Sequence, residues 1–158
     1  ATIAVLGAGG AARAVAVGAA DAGAARVVVL NRTEARARSV AEALERACPT
    51  TRIEAAPLGG FADVARRADV VVMTVSREGL SAIRALDPSF VRADATWIDL
   101  NYWDPDPPHL AGLQRRGVRV QDGLPMLIHQ GALAFRAFTG APAAPEVARR
   151  VLTGRIGS

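Results

Sequence analysis

Two rhythms of apolar positions alternate along this chain: short β-branched runs, and between them longer stretches in which apolar residues return every three or four positions. Thr2 to Leu6 reads as a first strand, Gly9 to Ala22 as a helix closed by Gly23, and Arg26 to Leu30 as a second strand. Thr33 to Ala47 keeps helical spacing until Pro49 stops it. Arg52 to Ala55 is expected as a third strand at an edge, and Phe61 to Arg67 as a short helix. Asp69 to Val75, "DVVVMTV", is apolar almost throughout, the pattern of a strand covered on both faces. A helix around Leu80 to Leu86 precedes "ATWIDL", a fifth strand ending at Leu100, and "NYWDPDPP" carries too much proline to prolong it. Leu110 to Arg116 is expected to be helical, Val118 to Gln121 a sixth strand, and Met126 to Phe138 a longer helix. After Gly140, a last amphipathic helix runs from Pro145 to Leu152.

Strands separated by helices of this length make βαβ units, and right-handed crossovers between them make a parallel sheet. The expected fold is therefore α/β: a doubly wound parallel sheet of about six strands, order 3-2-1-4-5-6, with helices on both faces. A chain of 158 residues fits one such domain, residues 1–158, and shows no internal repeat.

Composition narrows the function classes. With 51% apolar and 22% charged residues the chain is globular in type, and no apolar run reaches the roughly 18 residues of a membrane span. No basic segment leads into "TIAVLG", so no secretory signal is expected. Cys48 stands alone and cannot form an internal disulfide, which fits a cytoplasmic location. The net charge is +4, and all 19 basic side chains are arginine. They are scattered rather than gathered among aromatics, which argues against a nucleic-acid partner. No His/Cys spacing suggests a metal, and no G-x-S-x-G suggests a serine nucleophile.

The chemistry begins at "VLGAGGAARAV", where the first strand hands over to the first helix. Gly7 suits the tight turn, Gly9 lets backbone approach a pyrophosphate, and Ala12 stands in for the third glycine of a G-x-G-x-x-G/A loop, so that helix and strand pack closely. Helix-start amides and the helix dipole then favour phosphate. About twenty residues on, at "LNRTEAR", Asn31 occupies the place where an acid would repel a ribose 2′-phosphate. Arg32 supplies a planar donor fork, Thr33 is a candidate N-cap, and Arg36 lies one turn further. Together they favour NADP over NAD in a Rossmann-like fold.

"GAGGAARA", "NRTEARA" and "DGLPMLIHQGALAF" resemble, in order and spacing, the cofactor-binding domain of the shikimate/quinate dehydrogenase family, over nearly the whole chain. The resemblance implies an oxidoreductase of aromatic amino acid biosynthesis that reduces 3-dehydroshikimate, or a related cyclic acid such as quinate or an amino analogue, with NADPH. It implies that Gly7, Ala8, Gly9, Gly10, Ala11 and Ala12 hold the pyrophosphate, and Asn31, Arg32, Thr33 and Arg36 the 2′-phosphate. Thr74, Val75, Leu100, Gly123 and Met126 would line the cofactor further on, with Gly123 offering its carbonyl to the nicotinamide. Gln130 and Tyr102 would meet the substrate. It further implies a substrate domain upstream of residue 1, toward which the helices of residues 124–158 would face, and it admits a homodimer.

Some positions depart from the family. "MTVS" replaces its "NATP" or "NATS", putting Met73 for asparagine and Val75 for threonine, and Trp103 and Asp104 replace an Asn-Pro pair. The family's proton-transfer lysine has no counterpart in a chain without lysine, so no catalytic residue is assigned here. His109 and His129 read as ordinary surface or packed histidines, and Asp99 and Asp122 as loop caps near strand ends. Two readings follow: the NADP-binding half of an oxidoreductase that needs its other half for catalysis, or a non-catalytic NADP-binding sensor that docks on a partner.

Overall fold

The computed structural model describes residues 1–102 and 108–156. Six strands, β1 (Thr2–Leu6), β2 (Arg26–Asn31), β3 (Arg52–Pro57), β4 (Val70–Met73), β5 (Thr96–Asp99) and β6 (Arg119–Gln121), pair in parallel in the order β3-β2-β1-β4-β5-β6. The doubly wound sheet and its strand order are as the alternating pattern predicts. The helices are α1 (Gly10–Asp21), α2 (Glu34–Glu45), α3 (Phe61–Ala65), α4 (Leu80–Arg84), α5 (Pro108–Arg115), α6 (Leu124–Thr139) and α7 (Pro145–Ile156).

Period-two alternation in the central strands decides which side chain meets which helix. Ile3, Val5, Val27, Val29 and Val72 pack on one face with Ala12, Ala16 and Ala20 of α1 and Val40 and Leu44 of α2. Leu6, Val28, Leu30, Val71, Met73 and Trp97 pack on the other with Phe61, Ile83 and Leu113, from α3, α4 and α5. Because the buried stripe of α1 is alanine at every fourth position, that helix lies close against the sheet. Each fully buried Val or Leu contributes about 1.5–3 kcal/mol to the stability of the fold.

Several boundaries differ from the periodicity, each for a local reason. β4 is shorter at both ends than "DVVVMTV". The Asp69 carboxylate accepts from the Thr2 amide at 2.7 Å and also meets Arg92, while Thr74 turns back onto the end of β1. β3 runs on to Pro57, which an outermost strand tolerates because its outer amides need no partner strand. α6 begins two residues early with Pro125 in its first turn and ends at Gly140 in the left-handed conformation (φ 69°). At the sheet edge the Arg26 guanidinium grips Glu54 in two-pronged fashion, at 3.1 and 2.7 Å, and Arg52 meets the same carboxylate. No helix among the described residues is long and apolar enough to cross a membrane.

Candidate functional site

At the carboxyl ends of the strands on either side of β1, a cavity of about 520 Å³ opens between the start of α1, the end of β2 and the loop after β4. Its floor is the glycine turn. Gly7 follows β1 with φ 115°, a conformation that L side chains rarely adopt, and donates its amide to the Leu30 carbonyl at 2.8 Å. Gly9 is the N-cap of α1 and carries no capping side chain. The first turn of α1 holds no acid, and Gly9, Gly10 and Ala11 are exposed to the cavity. A Cβ added at Gly9 or Gly10 would touch nothing within 4 Å, so the space above the helix start is open. Open, uncapped helix-start amides with no acid in the first turn form an anion-receptive surface. Ala12 does not line the cavity. It is fully buried beneath it, as a small residue in close helix–sheet contact should be.

The second wall comes from the end of β2. Asn31, Arg32, Thr33 and Arg36 all line the cavity, and both guanidiniums lie on exposed residues. Thr33 is indeed the N-cap of α2, but its hydroxyl makes no capping bond. Instead the Asn31 side-chain amide donates to the Thr33 carbonyl at 2.9 Å and fixes the corner. Asn31 therefore uses a donor that an aspartate would lack.

The third wall is the loop after β4, with Thr74, Val75, Ser76, Glu78 and Gly79, continued by Ala82 and Ile83 of α4; Leu58, after β3, closes the far side. Thr74 and Val75 were read from the sequence, whereas Leu58, Ser76, Glu78 and Ile83 were not, since no local motif marks them. Gly79 packs against the Val75 side chain, which would have to shift to admit a Cβ there. The Glu78 carboxyl is held below its ordinary range, first by its hydrogen bond with Ser76 and then by its own backbone amide. The wall thus adds one anionic group to the two cationic ones of Arg32 and Arg36.

The remaining sequence-predicted residues lie outside this cavity. Gly123 is packed directly onto the Leu100 carbonyl, with its amide toward the Asn101 carbonyl at 3.3 Å. Its own carbonyl accepts the Leu127 amide at 3.0 Å, as the first turn of α6 requires. Met126 is half-buried on α6, whereas Gln130 and Tyr102 are exposed. Asp99, 1% exposed, accepts from the Asn101 amide at 2.9 Å, and Asp122 accepts from the Leu124 amide at 3.1 Å; both carboxylates cap turns. His129 is exposed on α6. Trp103, Asp104 and the His109 side chain lie outside the described residues.

Two family models match this chain: "Shikimate / quinate 5-dehydrogenase" over residues 1–90 and "Shikimate 5'-dehydrogenase C-terminal domain" over residues 123–153. A shikimate dehydrogenase (NADP(+)) from Moorella thermoacetica is 40% identical over 157 residues, covering 98% of this chain and 53% of that enzyme. Among solved structures, quinate dehydrogenase from Corynebacterium glutamicum in complex with NAD superposes with a TM-score of 0.84 at 25% identity, over 97% of this chain and 55% of that one. Shikimate 5-dehydrogenase from Thermus thermophilus in complex with NADP(H) and shikimate superposes with a TM-score of 0.72 at 38% identity, over 94% and 54%. The chain spans about half the length of these relatives. With a family model over more than half of its residues and identity maintained along nearly all of it, this chain belongs to the shikimate/quinate dehydrogenase family.

Proposed function

We propose that this chain is the NADP-binding half of a shikimate dehydrogenase-like oxidoreductase. The observation that carries the reading is the convergence, in one cavity, of an uncapped glycine turn with Arg32 and Arg36 at the end of β2. A dinucleotide fits these residues. The amides at the start of α1 receive its diphosphate, where the missing glycine side chains leave room. Arg32 and Arg36, with the Thr33 hydroxyl, receive a ribose 2′-phosphate, and Asn31 places no negative charge against it. Relatives of this fold carry NAD as well as NADP(H), so fold alone does not choose between them. The arginines do.

When bound, the cofactor supplies the hydride for reduction of a cyclic keto acid, 3-dehydroshikimate or a close analogue. Leu100, Gly123 and Met126 are assigned to the nicotinamide end, and Tyr102 and Gln130 to the substrate. Carbonyl reduction also needs a proton on the oxygen. Asp99 and Asp122 are occupied as turn caps, and the chain has no lysine. The proton relay is therefore assigned to a substrate domain in the part of the relatives that this chain does not span. The second half of α6 is shaped to meet such a domain. Past Ile128, only Ala132 up to Thr139 is even half-buried, and Leu133, Phe135 and Phe138 are exposed at 69%, 51% and 89%.

One observation favours a second reading. Met73 is fully buried in the core at a position where the family carries a polar residue, so the loop beyond it loses one means of organising the nicotinamide. A sensor that binds NADP without chemistry would tolerate that.

The test is titration with NADPH and NADH, repeated with Arg32→Ala. Preference for NADPH by about tenfold or more, abolished in the variant, supports the reading. Binding of neither at millimolar concentration sinks it. Addition of a family substrate domain and 3-dehydroshikimate then separates enzyme from sensor by NADPH oxidation.

A further inference from the structure

We propose that the Thr74 hydroxyl is a positioning group that sets the orientation of the glycine turn and, through it, affinity for the diphosphate of the cofactor. The affinity part rests on the reading above; the orientation part does not.

The last carbonyl of β1, on fully buried Leu6, accepts two hydrogen bonds from one residue: the Thr74 amide at 2.9 Å and the Thr74 hydroxyl at 2.8 Å. The amide bond continues the parallel ladder between β1 and β4. Nothing in the ladder requires the hydroxyl bond, which fills the second lone pair of the same oxygen. On the opposite side the next amide, of Gly7, donates to Leu30 of β2 at 2.8 Å. The peptide between Leu6 and Gly7 is thereby held from both neighbouring strands. Its plane sets the direction in which Gly7, at φ 115°, sends the chain toward Gly9 and the helix start.

The hydroxyl also occupies the space of a missing side chain. A Cβ on Gly7 would lie 2.5 Å from Thr74 Oγ1 and 3.3 Å from Val75 Cγ2. Gly7 and Thr74, far apart in sequence, are thus fitted to each other. In this arrangement Thr74 acts on a ligand through the Leu6 carbonyl, without a contact of its own being needed.

The test uses Thr74→Val, which removes the hydroxyl, Thr74→Ser, which keeps it, and Thr74→Ala in case the valine variant fails to fold. Two readouts are followed: exchange of the Gly7 amide by NMR, and affinity for NADPH beside affinity for adenosine 2′-monophosphate, which has no diphosphate. Thr74→Val is expected to speed Gly7 exchange and weaken NADPH by about two- to tenfold, leaving the monophosphate within about twofold, and Thr74→Ser to follow the parent in all three. If Thr74→Val fails to fold, Thr74→Ala is read in its place; equal weakening of both ligands in a folded variant would overturn the proposal. Unchanged NADPH affinity in Thr74→Val, or equal losses in Thr74→Val and Thr74→Ser, would overturn it as well. If the parent binds no NADPH the cofactor reading falls, and Gly7 exchange alone then decides whether the hydroxyl orients the turn.

Discussion

Gly123 presses on the Leu100 carbonyl so closely that a methyl group at its Cα would overlap both the carbon and the oxygen of that peptide. The contact ties the start of α6 to the end of β5. Its obstacle is backbone, which cannot rotate away as a side chain can. Gly123→Ala is expected to lower unfolding free energy by about 1–3 kcal/mol through overpacking. Denaturant unfolding measures it, and a variant as stable as the parent would show that the junction can spread at no cost.

Gly7→Ala meets two obstacles, a positive φ and the Thr74 hydroxyl. Strain of about 1–3 kcal/mol is expected at such a position. Denaturant unfolding should show a larger loss of stability than in Gly10→Ala, whose added methyl meets no protein atom within 4 Å.

Asn31→Asp replaces the amide that donates to the Thr33 carbonyl with a carboxylate at the mouth of the arginine wall. Repulsion of a 2′-phosphate should raise the Kd for NADPH by about tenfold or more and leave that for NADH within about threefold. Parallel titrations decide it; equal losses for both cofactors would place the 2′-phosphate elsewhere.

Glu54 is held below its ordinary value of 4.5, chiefly by the hydrogen bond from Arg26. A depressed folded pKa contributes stability above the unfolded value and loses it as pH falls through the folded one. Removing the pair with Glu54→Gln should cost about 0.5–1 kcal/mol at pH 7, given a partly exposed bridge. Melting curves against pH should show parent and variant converging as pH falls below the ordinary value of 4.5.

Ile128 is 1% exposed and Phe138 89%, on the same helix. Ile128→Ala should cost about 2–5 kcal/mol and Phe138→Ser less than about 0.5. Comparable losses would mean that the second half of α6 lies against the domain after all.

The fold was readable because β1, β2 and β4 are dominated by Val, Ile and Leu and separated by stretches of helical spacing, and because right-handed crossovers restrict how such strands assemble. Most boundaries fell within two residues, several shifted where a tertiary partner ends an element, and the last helix runs four residues past Leu152 to Ile156. Asp69 belongs to Thr2 and Arg92 rather than to the strand it precedes, and Thr74 to Leu6. Two walls of the site were legible as well, since the glycine turn and "NRTEAR" each present their chemistry in consecutive residues. The third wall was only partly so. Leu58, Ser76, Glu78 and Ile83 reach the cavity because a crossover delivers them there, and none sits in a pattern that would announce it. Thr33 was recognised as a cap position, but the bond that secures the corner comes from Asn31.

The register of β1 against β4, Ile3 beside Val70 and Leu6 beside Met73, sets an order of assembly. β1 lies in the middle of the sheet and cannot be flanked on both sides until the roughly seventy residues that lead to β4 have followed it. Local helices can form at once, but the ring of contacts around β1 closes late and must meet the entropy of a long loop first. During synthesis, a chain emerging from the ribosome would carry its glycine turn as an unformed segment until Thr74 arrived, so that binding competence appears in one step with the central seam rather than growing with length.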